Sequence, residues 1–229
     1  MTPRIVDTVH RILAPLTRVL IRLHVTPNNL TTAGLVVNFL AAILLIVGGE
    51  HGARGDMSYI GWASALILFA GLFDILDGQV ARGGGMSTTF GAIYDSVIDR
   101  YSELIMFLGM CYYLVSHAFF LTSLLAFLAM IGSVMVSYTR ARAEGAGISC
   151  KTGLMQRPAR IVLLGAAGIA CACSTSFTGG YAKFESVIPV LGSVETIAVY
   201  SVPIGVVALL SNITAIGRLR HCRTQLRAQ

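Results

Sequence analysis

The chain has 229 residues, 55% of them hydrophobic and only 12% charged, with a mean hydropathy of +0.74. That composition excludes an ordinary soluble domain and identifies an integral membrane protein. A net charge of +6 would suit a nucleic-acid binder, but the basic residues follow membrane topology and form no stripe with aromatic stacking platforms, so nucleic acid is set aside as a partner.

The first predicted element runs from Pro3 to Leu23, where Ile5, Val9, Ile12, Leu16 and Val19 recur at helical spacing while Arg4, Arg11, Arg18 and Arg22 fall elsewhere. Two readings fit. The segment is an amphipathic juxtamembrane helix lying in the interface on anionic lipid, or a solvated basic helix whose apolar stripe packs on the protein. Its start lacks the short apolar core and small-residue cleavage site of a signal peptide, so the N-terminus is expected to be kept. Six apolar runs follow, at about 30–49, 57–81, 90–115, 118–139, 159–175 and 194–217, each long enough to cross a hydrocarbon core.

The expected fold is therefore all-α: one membrane domain over 1–229, with a juxtamembrane helix at 3–23, a six-helix bundle within 24–220 and a basic cytoplasmic tail at 221–229. Nearly all Lys and Arg residues fall before residue 30, at Arg82, between Arg140 and Arg160, or from Arg218 onward, with Arg54, Arg100 and Lys183 outside those segments. Six crossings put those segments on one side, and the positive-inside rule makes that side cytoplasmic. A multi-pass protein of the cytoplasmic membrane is expected. The five cysteines show no paired zinc-site spacing and read as reduced packing residues.

Four acids lie inside the most apolar stretch, in FDILDGQVARGGGMSTTFGAIYDSVIDR, as Asp74, Asp77, Asp95 and Asp99. Ionised carboxylates are costly at membrane depth, so such a cluster marks a functional site. Spacings of three and four place each pair on one face of a helix. If the two helices pack face to face, the acids converge on a small volume where like charges stay ionised together only around a cation. Carboxylate oxygens select magnesium, manganese or calcium. The competing structural reading, salt-bridged acids of a helical core, has only Arg82 and Arg100 nearby as basic partners.

Asp74, Asp77, Gly78, Ala81, Arg82, Gly91, Asp95 and Asp99 together occupy every fixed position of a pattern that resembles the signature of the CDP-alcohol phosphotransferase family. The resemblance implies transfer of a phosphate-linked group from a CDP-activated donor to an alcohol, with release of CMP. It also implies that Asp74, Asp77, Asp95 and Asp99 hold two divalent cations, magnesium or alternatively manganese, and that Asp99 serves as general base. Asp74, Gly78, Ala81, Arg82 and Gly91 would contact the CDP group, with Arg82 pairing with the diphosphate, and Thr88, beside the Gly83-Gly84-Gly85 loop, could also approach the nucleotide. Upstream, VTPNNLTTAG resembles the family's second nucleotide-contacting segment, which assigns Asn28 and Thr31 to the nucleotide, although both also read as helix caps.

Three later segments, VSYTRARAEGAG, GLMQRPARIVLL and ITAIGRLRHCR, resemble the actinobacterial phosphatidylinositol phosphate synthases within that family. The likeness assigns Arg140, Arg157, Arg160 and Arg218 to the phosphate of inositol 1-phosphate, with Arg140 standing where those enzymes carry lysine. Several cations converging from separate helices suit an anionic acceptor and not glycerol, serine or choline; as plain residues they also fit the positive-inside rule. The resemblance implies CDP-diacylglycerol as donor, inositol 1-phosphate or another anionic alcohol as acceptor, membrane lipid as surroundings, and a homodimer. Rival readings keep the chemistry and change a substrate, as in phosphatidylglycerophosphate or di-myo-inositol phosphate synthesis. A divalent-cation transporter would also carry intramembrane acids, but leaves Gly78, Ala81, Arg82 and Gly91 without a role.

Overall fold

A computed structural model of the protein describes residues 3–150, 153, 155–177, 183–185 and 193–227, with backbone alone at 3–10, 183–185 and 193–194. Seven helices follow one another among the described residues: α1 (Pro3–Arg22), α2 (Pro27–His51), α3 (Ser58–Gly83), α4 (Thr89–Ser116), α5 (Phe120–Gly145), α6 (Arg157–Phe177) and α7 (Ala198–Arg227). Between α6 and α7, β1 (Lys183–Glu185) and β2 (Ser193–Glu195) pair antiparallel, with Phe184 opposite Val194. That small hairpin was not expected from the sequence.

Each predicted apolar run falls largely on one of α2 to α7, although the run expected from 194 begins in β2 and its helix starts only at Ala198; α2, α3, α5, α6 and α7 are long and apolar enough to cross a membrane. The protein is a multi-pass membrane protein. The helices outrun the apolar segments: α7, at 30 residues, is about 45 Å long against a hydrocarbon core of about 30 Å. Residues 221–227, read as a tail, continue α7, while 228–229 lie outside the described residues. Likewise Arg140 and Arg142 sit on the last turns of α5 and not in a loop.

The outer faces carry large apolar side chains, among them Phe39, Leu40 and Ile43 on α2 and Leu121, Leu124 and Phe127 on α5. Inside, Ala41, Ala63, Ala126, Ala129 and Ala167 let helices approach, and Phe107, Tyr113 and Leu164 fill the space between them. A Cβ added at Gly109 of α4 would lie 2.7 Å from Ala42 Cα of α2, so this crossing depends on a missing side chain. α2 packs on both α3 and α4, α5 on α7 and α4, and α6 on α3 and α7.

The N-terminal helix separates the two readings of its stripe. Leu13, Leu20 and Ile21 of α1 pack on a cluster of Leu30, Leu76 and Val80, and the Thr17 hydroxyl lies 2.8 Å from Gln79 Oε1 of α3. Ile12, Leu16 and Val19, the stripe expected from spacing, are exposed with Leu23. The packed residues are thus a different set, because α1 crosses α3 on the flank of that stripe. The side chains of Arg4, Ile5 and Val9 lie outside the described residues.

Candidate active site

The residues singled out by the sequence meet at one end of the bundle, where α3 ends and α2, α4 and α6 begin. α2 starts where Thr26 accepts the Asn29 N–H at 3.4 Å and Pro27 presets the first helical turn. The cap is thus Thr26, and neither Asn28 nor Thr31 is needed for it. At the end of α3, Gly85 adopts φ +64 and the Met86 N–H donates to the Ala81 carbonyl at 3.0 Å, closing the helix. Thr88 then caps α4 by accepting the Gly91 N–H at 2.9 Å. These local signals set a tight turn between the two acidic helices, with Asp74 and Asp77 before it and Asp95 and Asp99 after it.

α3 and α4 are not among the closely packed helix pairs, since α2 lies against both. The condition of direct face-to-face packing is thus not met, but Asp74 of α3 and Asp99 of α4 still converge on one nitrogen of Arg157, and Asp77, Asp95 and Asp99 border cavities. Asn28, Thr31, Asp77, Gly78, Ala81, Thr88, Gly91 and Asp95 line one cavity. The Thr31 hydroxyl lies 2.7 Å from Asp77 Oδ2, fixing a carboxylate that is only 6% exposed. Arg82 folds over Gly78, where an added Cβ would come within 3.2 Å of its Nη1. A Cβ at Gly91 would meet Thr88 Oγ1 at 3.0 Å and Asn28 Oδ1 at 3.4 Å, so both glycines keep space that a side chain would fill.

A second cavity of about 490 Å³ lies between α4, α5, α6 and α7. Its wall includes Asp95, Asp99, Arg100, Arg140, Arg157, Arg160 and Arg218. Asp95 borders both cavities. The four arginines assigned to an acceptor phosphate are all here, but they are held differently. Arg140 Nε donates to Glu144 at 2.8 Å on an exposed face, and Arg218, buried, donates to the Val136 carbonyl. Arg157 Nη1 stands 2.6 Å from Asp74 Oδ2 and 2.7 Å from Asp99 Oδ1. Arg160 is 1% exposed and grips Glu103 with Nε at 2.8 Å and Nη2 at 3.1 Å, while its Nη1 donates to the Met155 carbonyl at 2.9 Å.

Glu103 was missed by the sequence reading, although it continues the Asp95, Asp99 face of α4 by one further step of four and so carried a periodic signal. Arg100, taken only as a possible counter-charge, lies 3.8 Å from Asp99 and faces the larger cavity. Among the described residues no three acidic, histidine or cysteine side chains are drawn together as ligands of one ion. The donor set still fits hard divalent cations. All four groups are carboxylates, and two of them already converge on a cationic nitrogen, that of Arg157.

A family model described as CDP-alcohol phosphatidyltransferase matches residues 24–211. A phosphatidylinositol phosphate synthase of Mycobacteroides abscessus is 31% identical over 177 residues, covering 76% of this chain and 73% of that one. A protein of Aquifex aeolicus described as uncharacterized is 33% identical over 198 residues, 86% of this chain and 91% of that one. The crystal structure of Mycobacterium tuberculosis phosphatidylinositol phosphate synthase with CDP-DAG bound superposes with a TM-score of 0.71 at 26% identity, covering 93% of this chain and 94% of that chain. The same enzyme in complex with manganese and citrate also gives a TM-score of 0.71, at 25% identity over 92% and 88% of the two chains.

Proposed function

The chain belongs to the CDP-alcohol phosphatidyltransferase family, and from that premise we propose that it transfers the phosphatidyl group of CDP-diacylglycerol to inositol 1-phosphate, giving phosphatidylinositol phosphate and CMP. The observation that carries this reading is the position of Asp95 on the shared wall of two cavities, one small and glycine-lined, the other lined by five arginines. A nucleotide and an anionic alcohol placed in them would meet at the acids.

In this reading Asn28, Thr31, Gly78, Ala81, Thr88 and Gly91 form the cytidine side of the site, and Arg82 pairs with the diphosphate through its planar fork. Arg140, Arg157, Arg160 and Arg218 supply the positive field that holds the acceptor phosphate. Asp99 takes the proton of the acceptor hydroxyl. The freed oxygen attacks the lipid-bearing phosphorus, and the bond from that phosphorus to the bridging oxygen breaks, with its electron pair leaving on CMP. Two divalent cations, magnesium or manganese, held by Asp74, Asp77, Asp95 and Asp99, would polarise the diphosphate and offset the charge on the departing CMP. Arg160 lines the cavity and is oriented by Glu103; its buried ion pair favours a positioning role at the cavity wall over a long reach into it.

The architecture we propose around this site has six spans. α4 is the sixth: its 28 residues match its neighbours in length, and the functional acids near its start lower its hydropathy. α1 lies in the interface, supported by the exposed row of Ile12, Leu16, Val19 and Leu23. The whole of 1–229 forms one domain in the cytoplasmic membrane as a homodimer, with the arginine-rich end facing the cytoplasm. Lipid tails enter sideways between helices.

The deciding experiment is CMP release by purified protein with magnesium and CDP-diacylglycerol, comparing inositol 1-phosphate, free inositol and glycerol 3-phosphate. Turnover confined to inositol 1-phosphate supports the assignment. Preference for either other acceptor overturns the role given to the arginine cavity while leaving the acid chemistry in place.

A further inference from the structure

Arg157 stands at the first position of α6, where the acids and the arginine cavity adjoin. A single nitrogen, Nη1, reaches Asp74 of α3 at 2.6 Å and Asp99 of α4 at 2.7 Å. Among the described residues it alone makes ion pairs with acids from both helices. Its Nε is buried and has no hydrogen-bond partner among the described residues. An orphaned buried donor on a charged group is unfavourable, and the described residues supply no acceptor for it. The other arginines of the cavity are placed differently: Arg160 is fixed by Glu103 and Met155, and Arg140 by Glu144.

The two carboxylates that hold Arg157 are also two of the four that would hold divalent cations in the reading above, on which this inference rests. A guanidinium and a divalent cation cannot both approach the same carboxylate oxygens without strong repulsion. We propose that Arg157 couples the two halves of the site. It competes with the divalent cations for Asp74 and Asp99, and on losing that competition it presents its fork of donors, Nε included, to the acceptor phosphate in the adjoining cavity. Such coupling is reciprocal: cations raise the affinity for the phosphorylated alcohol by the same factor as the alcohol raises the affinity for cations. Arg157 thereby makes the acceptor bind best when the cations are in place.

The test is Mn2+ binding to the full-length protein in detergent, read from the loss of the free-ion EPR signal, with and without inositol 1-phosphate. Wild type is compared with Arg157→Ala, Arg157→Gln and Arg157→Lys, each checked for an unchanged circular dichroism spectrum. Wild type should gain roughly fivefold or more in Mn2+ affinity on adding inositol 1-phosphate, and the Ala and Gln variants should bind Mn2+ alone tighter by a similar factor and lose the response to the phosphate. The Lys variant, which keeps the charge, should stay near wild type. Unchanged or weaker Mn2+ binding in the neutral variants overturns the coupling, as does a phosphate response that survives in them, which would mean the acceptor acts on the metal directly. CMP release by the wild-type preparation is measured alongside. If turnover with inositol 1-phosphate is intact and Mn2+ binding ignores Arg157, only the coupling fails; absent turnover overturns the underlying reaction.

Discussion

Replacing Glu103 by Gln keeps the volume of the side chain and removes its charge from the most deeply buried ion pair among the described residues. The side chains of Arg160 and Glu103 are 1% and 5% exposed, and both oxygens of the carboxylate are engaged, at 2.8 and 3.1 Å. Glu103→Gln leaves the guanidinium charge buried with only the Met155 carbonyl and a neutral amide around it. Removing one partner of a buried pair costs about 3–5 kcal/mol. The exposed pair of Arg140 and Glu144 is the internal control: its distance is the same 2.8 Å, but its side chains are 45% and 46% exposed. Exposed helical pairs at this spacing are worth about 0.3–0.5 kcal/mol, so Glu144→Gln should be nearly silent. Because the loss in Glu103→Gln comes from the stranded charge, adding Arg160→Met should recover part of it, short of the Met155 carbonyl left without a donor, about 1–3 kcal/mol. Reversible unfolding in mixed micelles, followed by circular dichroism, gives all four values. A Glu103→Gln protein within about 1 kcal/mol of wild type, or a double variant less stable than the single one, would refute the reasoning.

Asp77→Asn and Asp95→Asn are each expected to bring CMP release below detection with little change in the unfolding midpoint; retained turnover in either would remove that acid from the reaction. Gly109→Ala should destabilise the α2–α4 crossing by about 1–3 kcal/mol, because the new Cβ meets the Ala42 Cα at 2.7 Å and its carbonyl oxygen at 2.9 Å and a backbone cannot rotate aside. An unfolding curve matching wild type would mean the helices can separate there freely. Arg140→Ala should raise the KM for inositol 1-phosphate several-fold while leaving that for CDP-diacylglycerol in place; equal changes in both steady-state constants would take Arg140 out of the acceptor cavity. Chelation with EDTA should abolish turnover, and added magnesium or manganese should restore it; activity that persists under chelation would contradict the role of the four acids.

Much of the site was legible because it is written at helical spacing. Asp74 with Asp77, and Asp95 with Asp99, share faces whatever the rest of the fold does, and Thr88 and Gly85 mark the turn between them by local backbone preferences. Thr31 illustrates the limit. Its place in the first turns of α2 was readable, but its hydroxyl is directed at Asp77, 46 residues away, and nothing in the local pattern states that. Arg140, Arg157, Arg160 and Arg218 line one cavity, yet the sequence presented them as equivalents, whereas their partners in the fold make them four different groups.

The sequence by itself determined that this is a multi-pass helical protein, where its apolar segments run, and which acids share a helix face. Those features depend on hydropathy and on the period of the helix, both local quantities. Only the tertiary structure decided that α2 packs on both α3 and α4, that Arg160 closes on Glu103 across 57 residues and that Arg157 bridges to Asp74 across 83. Such pairings are set by how whole helices pack, because a buried charge takes whichever partner the packing brings within reach, and no spacing along the chain encodes that choice.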